Sequence, residues 1–494
     1  MGCLSREQEV VMEITQALAE YVVRTGFADL PAEAVTQAKR AVLDTLGVTL
    51  AGSLEPCARI AGEVIAAEGG QPVATVIGQG FKAPPRAAAL ANGTAAHALD
   101  YDDVTSSMRG HPSPPLLPAV LAVGEETGAS GRDLITAYVI GFEVQCKVGR
   151  GLGQSHYPHG WHATATLGTL GATAAAAKLY GLDVERTRMA LGIATSLACG
   201  SRQNFGTMTK PLHPGVAAQS GVLAAQLAAR GFTADRAAIE APLGFLRLFS
   251  PAQDAQPEKV LPDLGNPLDI VAVGIGVKKY PCCYGTHSAL DAILELRERY
   301  GFTADDVDWV TVTVPNSGGQ PFVKAGAAGG DGSTGDREAP PVGLGPLIHP
   351  RPTTGLEGKF SMQYCMAAAL LDGSPVLDTF SDQAVRRTEA QALLRRVELV
   401  QAAEPAEPGR GWAEVAVTLK NGTTVRTRVD QPRGGPDRPL TWDELVAKYR
   451  DCAVRVIGSE ATEESLRLIG ELEHLSTVSD LTRLTAGRRT AATV

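Results

Sequence analysis

Four short segments hold most of the side chains able to move protons or bind anions. Residues 100–113 read DYDDVTSSMRGHPS, with three carboxylates in four positions, then Arg109 and His111. Residues 157–166, YPHGWHATAT, put His162 where a helix of small residues begins. Residues 209–215, TKPLHPG, offer Lys210 and His213 among prolines, with Arg202 a few positions upstream. Residues 276–287, GVKKYPCCYGTH, add Lys278, Lys279, Cys282, Cys283 and His287. Histidine exchanges a proton near neutral pH, a helix N-terminus favours anions, and lysines hold carboxylates. Proton transfer on an anionic substrate is the chemistry such a set could do.

Each group also has an ordinary reading. The acid run could be a solvated end of the helix at 85–99, although carboxylates at a helix C-terminus face partial negative charge. His162 could be a capping or core histidine, and Lys210 a solvated lysine in a connection between two helices. If the helix continued, His97, Asp100 and Asp103 would share a face, which would suit a metal. The spacing is neither HExxH nor an EF-hand loop, and no metal is expected. Cys282 or Cys283 beside lysines could be an activated thiol, but that needs a paired base. Lys278 reads better as a carboxylate-binding group, with Lys279, His213 and Arg202 as companions. No Walker A, no GxGxxG after a strand and no GxSxG elbow occurs.

The elements that must position these groups change character along the chain. Up to about residue 270 the text is helical: 6–27, 31–52, 131–152, 162–181, 182–200 and 214–231 carry helical spacing or small-residue packing faces, several with cap signals. From 272 it becomes mixed. VAVGIGVKKYP reads as a strand, HSALDAILELRERYG (287–301) as a helix and WVTVTVP (309–315) as a strand. FSMQYCMAAALLDG (360–373) reads as a helix and VELVQA (397–402) as a strand. EVAVTLK-NG-TTVRTRV (414–429) reads as a hairpin with a tight Asn421-Gly422 turn. After 440 helices return. The expectation is a mainly α protein: a discontinuous helical domain (1–271 and 434–494) with a smaller α/β lid domain (272–433) inserted. The Gly/Pro-rich stretch 316–352 is either disordered or a lid.

The chain has 494 residues and a net charge of −9, which disfavours nucleic acid and anionic membranes. An anionic small substrate then needs a local cationic cluster. The eight cysteines show no CxxC or zinc spacing, which suits a reducing, cytoplasmic setting. MGCLSREQEV lacks an apolar signal core, Arg6 breaks a myristoylation pattern, and no apolar run is long enough to span a membrane.

Taken in order, HALDYDDV, GHPS, LLPAVLAVGE, GFEVQCKVGR, GWHATATLGTLGATAAAAKLYGL, RQNFGTMTKPLHPG, VKKYPCCYGTHSALDA and TGLEGKFSMQY resemble the MmgE/PrpD family over residues 10–480 or so. Family members include dehydratases of 2-methylcitrate, decarboxylases of cis-aconitate and epimerases of iminodisuccinate. The resemblance implies a large helical domain, a smaller α/β lid domain, a homodimer and no obligatory cofactor or metal. It carries active-site roles onto Asp100, His111, His162, Lys210 and Lys278. It implies a lyase acting on a small di- or tricarboxylate, with an epimerase or a non-catalytic dimeric binding protein as alternatives. The chain departs from the decarboxylase pattern at Val104, where those members carry Thr, and at PNSGGQ, where a Tyr is replaced by Gly near 319.

Overall fold

The computed structural model describes residues 13–316, 322–323, 338–405 and 411–488. Among the described residues, nine helices occupy most of the first 230 positions: α1 (Ile14–Arg24), α2 (Ala32–Gly52), α3 (Pro56–Glu68), α4 (Pro85–Ala98), α5 (Ser113–Thr127), α6 (Gly131–Gly151), α7 (Ala163–Leu179), α8 (Val184–Leu197) and α9 (Thr209–Ala229). A small antiparallel ladder, β1 (Ala74–Val76) with β2 (Phe81–Ala83), interrupts them. Residues 163–177 of α7 are buried on every side. A helix without a polar face must lie at the centre, and α7 is packed by α5, α6, α8 and α9.

The α4–α9 contact brings two of the four segments together. Its crossing point is Gly93 against Gly215: a Cβ on Gly215 would lie 2.4 Å from the Leu90 carbonyl, and one on Gly93 would lie 2.7 Å from Gly215 Cα. Only hydrogen fits on either side, so the two backbones touch. That approach sets the C-terminal end of α4 beside the first turn of α9.

Here the structure corrects the reading of TKPLHPG. Lys210 is not in a loop; α9 begins at Thr209, and Pro214, expected to start the helix, lies inside it. Pro211 falls in the first turn, where backbone N–H groups lack intrahelical partners anyway. The expected strand at VAVGIGVKKYP is also absent. Residues 269–272 are a helical turn, and the remainder makes one antiparallel bridge, Val104 with Gly276. Gly274, at a φ of 80°, breaks any extended run there.

The later part forms a four-stranded sheet in the order β4–β3–β5–β6, from β3 (Val307–Asn316), β4 (Val397–Pro405), β5 (Ala413–Leu419) and β6 (Thr424–Val429). β3 pairs parallel with β4 and antiparallel with β5, and β5 pairs antiparallel with β6. Alternation along β5 buries Ala413, Val415 and Val417. Helices α10 (His287–Tyr300) and α11 (Met362–Asp372) pack against the sheet and each other. The β5–β6 hairpin closes through a three-residue loop rather than a two-residue turn: Leu419 N–H donates to the Thr423 carbonyl, and Gly422 takes a φ of 86°.

The last long helix, α12 (Trp442–Gly470), is broken at Gly458 and packs on α2, with Leu445, Tyr449 and Ala453 in one apolar cluster with Leu43, Leu46 and Leu50. Of the Gly/Pro-rich stretch 316–352, residues 317–321 and 324–337 lie outside the described residues. Val342–Gly343 pairs with Phe322–Val323. No described helix is long and apolar enough to cross a membrane.

Candidate active site

α4 ends at Ala98, so His97, Asp100 and Asp103 do not share one helical face. The chain turns sharply at Asp100, whose φ of 51° lies in the left-handed region that non-glycine residues rarely adopt. The turn is held by three lysines on three successive carbonyls. Lys359 Nζ donates to Leu99 O at 2.7 Å, Lys278 Nζ to Asp100 O at 2.8 Å and Lys448 Nζ to Tyr101 O at 2.8 Å. Positive charge thus meets the carbonyl-rich helix end that a row of acids alone would not tolerate.

The Asp100 carboxylate lies between two buried ammonium groups. One oxygen accepts from Lys210, and the other accepts from Lys278 at 2.9 Å. Burial alone would raise the Asp100 carboxyl, but Lys210 and Lys278 outweigh it and hold it well below the usual carboxylate range. In turn, burial would lower Lys278, and the Asp100 and Asp102 charges more than reverse that. Lys210 also donates to His97 Nε2 at 2.8 Å. An ammonium has three N–H donors. The hydrogen bonds of Lys210 and Lys278 each use two, which leaves one donor on each for an anion.

Around this ion triplet stand four histidines. His97 Nδ1 lies 2.9 Å from both Asp102 oxygens, and His111 Nδ1 lies 2.8 Å from Asp102 Oδ2. His162, at the cap position of α7, makes no capping hydrogen bond; its Nδ1 meets His213 Nδ1 at 2.9 Å. The rings of His111 and His162 lie 4.5 and 5.7 Å from that of His97. Phe205 stands edge-on to His162, and Lys210 lies over Phe205 and Phe360. His111 is the most open of the four, with its side chain 14 % exposed. Burial and the Lys210 charge push His162 well below its ordinary value; burial takes His97 down to about 3 and His213 to about 4 and lowers His111 as well. The substrate-free site therefore holds neutral imidazoles beside charged lysines.

A cleft of about 210 Å³ lies away from the cluster, against Arg40, Ile275 and Pro436, with no histidine in its lining.

The same depressed histidines fix the acid side of the stability curve. His97, His111, His156, His162 and His213 are all lowered. The unfolded chain binds protons to them from about pH 6.5 downward, before the folded protein does. Their stability contribution is complete above pH 6.5 and is lost as pH falls toward 4. Each histidine adds a slope of up to about 1.4 kcal/mol per pH unit. Urea unfolding at pH 7.5, 6.5, 5.5 and 4.5 checks this; a midpoint constant down to pH 5 contradicts it.

His97, Asp102 and His111 bring three possible metal-ligand atoms within 4.8 Å of one another. Their contacts of 2.8–2.9 Å are hydrogen-bond and ion-pair distances. The Lys210 ammonium on His97 opposes a second cation there, so the residues fit proton sharing better than metal binding.

The segments that meet here come from both halves of the chain. Residues 16–258 match the model of the MmgE/PrpD N-terminal domain, and residues 280–474 match that of the MmgE/PrpD C-terminal domain. The chain belongs to the MmgE/PrpD family. Among its relatives is the cis-aconitate decarboxylase of Mus musculus, 29% identical over 97% of this chain and 94% of that protein. The Homo sapiens enzyme of the same name is also 29% identical, over 97% and 95%. That of Aspergillus terreus is 28% identical over 95% of each chain.

In this MmgE/PrpD protein, Asp100, His111, His162, Lys210, Lys278 and His213 come together. Arg202 stands at the edge of the cluster, stacked on Tyr157 at 3.8 Å and 5.7 Å from the Phe205 ring. Lys279 is not brought in; its ammonium lies 3.9 Å from Asp291 on a partly exposed side chain. Asp103 turns away to accept from Ser113, whose hydroxyl also meets Tyr138 at 2.6 Å. Cys282 is fully buried against Thr286, and burial with the Asp100 charge holds the Cys283 thiol up at about 12. Val104 uses its backbone N–H and carbonyl on Gly276, so its side chain is not what makes that bridge.

Sequence reasoning missed Lys359 and Lys448 and left Asp102 without a role. Lys448 had a signal: positions 445, 448, 449 and 452 form one buried stripe of α12, and a lysine in such a stripe needs partners.

Proposed function

We propose that this chain is a cofactor-independent lyase that dehydrates or decarboxylates a small di- or tricarboxylate by moving a proton at a carbon next to a carboxylate. One observation carries the reading: two buried ammonium groups, each with a donor to spare, adjoin neutral imidazoles within one cluster. The cis-aconitate decarboxylase relatives support it and make cis-aconitate the first compound to try.

Loss of hydroxide or carbon dioxide leaves or requires an electron pair beside a carboxylate. The spare N–H of Lys210 and that of Lys278 bind carboxylate and stabilise the developing charge. In dehydration a neutral imidazole, His111 or His162, takes the proton, and the imidazolium so formed returns it to the leaving hydroxide as water; in decarboxylation an imidazole that has taken a proton from solvent delivers it to carbon. Asp100 keeps Lys278 charged and aims both lysines, while His213 braces His162. Arg202, at the edge of the cluster, is assigned to a peripheral carboxylate contact. The reading includes a homodimer and a helical domain in two segments, 1–271 and 434–494, around an α/β lid domain at 272–433. The packing of α12 on α2 supports that division.

The test is incubation with cis-aconitate, citrate, 2-methylcitrate and iminodisuccinate in D₂O, followed by proton NMR. Elimination of water from one of them, or loss of carbon dioxide with one deuterium incorporated at carbon, is expected. Deuterium exchange without elimination assigns an epimerase instead. No change in any, with no thermal shift, makes the chain a non-catalytic protein.

A further inference from the structure

Asp102 is fully buried, and its polar partners among the described residues are two imidazoles, His97 and His111. The state of His97 follows from the other side of its ring. Lys210 sits 2.8 Å from His97 Nε2, and an ammonium has only donors. His97 Nε2 must therefore be bare, and the proton of a neutral His97 must sit on Nδ1, where it is donated to Asp102. The second imidazole meets the same carboxylate through the same ring atom. His111 Nδ1 is 2.8 Å from Asp102 Oδ2, close enough for an ion pair but outside hydrogen-bond geometry, and it has no other polar partner; a bare Nδ1 lone pair at that distance from a carboxylate would be repelled. A buried ionised carboxylate can only accept, so the proton of His111 also belongs on Nδ1.

We propose that Asp102 is a positioning residue that fixes the tautomers of two histidines at once. It leaves His111 with a bare Nε2 on the most open ring of the cluster, and it leaves His97 as the acceptor that orients Lys210. The proposal concerns which nitrogen holds the proton, and it rests on the acid/base reading only in what that proton arrangement is for. One carboxylate thus prepares both halves of the reaction: a base with a free lone pair and a cation held in place. A leucine at 102 offers neither ring an acceptor. Lys210 still keeps His97 Nε2 bare, and His111, with no acceptor left beside Nδ1, moves its proton to Nε2.

The experiment is long-range ¹H–¹⁵N correlation NMR on the full chain labelled with ¹⁵N-histidine, without substrate at pH 7.5. His97→Gln and His111→Gln serve only to assign signals. Both rings are expected as Nδ1–H tautomers, with Nε2 at the shift of an unprotonated nitrogen. In folded Asp102→Leu, His97 is expected to stay Nδ1–H and His111 to switch to Nε2–H. An Nε2–H or doubly protonated ring at His97 or His111 in the wild type overturns the proposal. So does an Asp102→Leu protein that is folded and keeps His111 as Nδ1–H. If Asp102→Leu does not fold, the wild-type spectrum alone decides. Since no substrate is used, failure to turn over any polycarboxylate refutes the lyase reading and leaves the tautomer result standing.

Discussion

Replacing Asp100 with alanine is expected to destabilise the protein by about 3–5 kcal/mol, the usual result of stranding a buried charge. The side chain separates two ammonium groups that have almost no access to solvent, Lys210 and Lys278. Removing it leaves both without a counter-ion and also leaves the left-handed turn with one fewer tether. The pH dependence gives the cause. Asp100 is depressed in the folded state, so in the wild type its contribution is present above about pH 4 and is lost as pH falls through its lower native value. In Asp100→Ala the largest charge opposing the burial of Lys278 is gone and the weaker pull of Asp102 remains, so the folded protein gives up that proton more readily than the wild type does. The deficit should therefore shrink as pH rises from 7 to 10. Urea unfolding of wild type and variant across that range measures it. A deficit under about 1 kcal/mol at pH 7 would mean the lysines do not depend on this carboxylate.

His162→Ala is expected to lower kcat by about 10²–10⁴-fold, the span of a lost acid/base group, while the fold stays intact. His162 makes no side-chain capping bond, so α7 does not depend on it for its start. Alanine at this position removes the ring–ring hydrogen bond to His213. His156 is the control. Its two ring nitrogens meet the Phe249 carbonyl at 2.8 Å and the Thr166 hydroxyl at 2.9 Å, away from the lysines. His156→Ala should lower the melting temperature and spare kcat. Turnover of the substrate found by NMR, with melting curves for both variants, separates the two roles. Equal kcat for His162→Ala and wild type removes His162 from the mechanism.

The helices were readable wherever the sequence repeats with a helical period or packs small residues, and their ends were set by local chemistry such as the Asp183 cap on α8. The residues proposed for the site were readable for a different reason. His111, His162, Lys210 and Lys278 sit in short, distinctive segments whose order matches a family. Contacts between distant segments were not readable. Nothing local says that Gly93 and Gly215 touch, and without that contact the start of α9 looks like a proline-rich loop. The glycine-containing run at 272–281 looked like a strand because its apolar residues alternate, but it forms a single β-bridge, to Val104 on a remote loop, and Val277 N–H turns instead to the Gly434 carbonyl. Asp102 and Asp103 are neighbours of like type with opposite assignments, and only the fold decides which meets histidines and which meets Ser113.

The three carbonyls at Leu99, Asp100 and Tyr101 take their lysines from 260, 178 and 347 residues further along the chain. During synthesis every histidine of the cluster, and Lys210 with them, leaves the ribosome before any of the three lysines that hold the turn. Contacts of such long separation form late in folding. A nascent or truncated chain thus carries its reactive groups without the means to arrange them. On the proposed reading, chemistry on a carbon acid is withheld until Lys448, in the last long helix, has been made and docked.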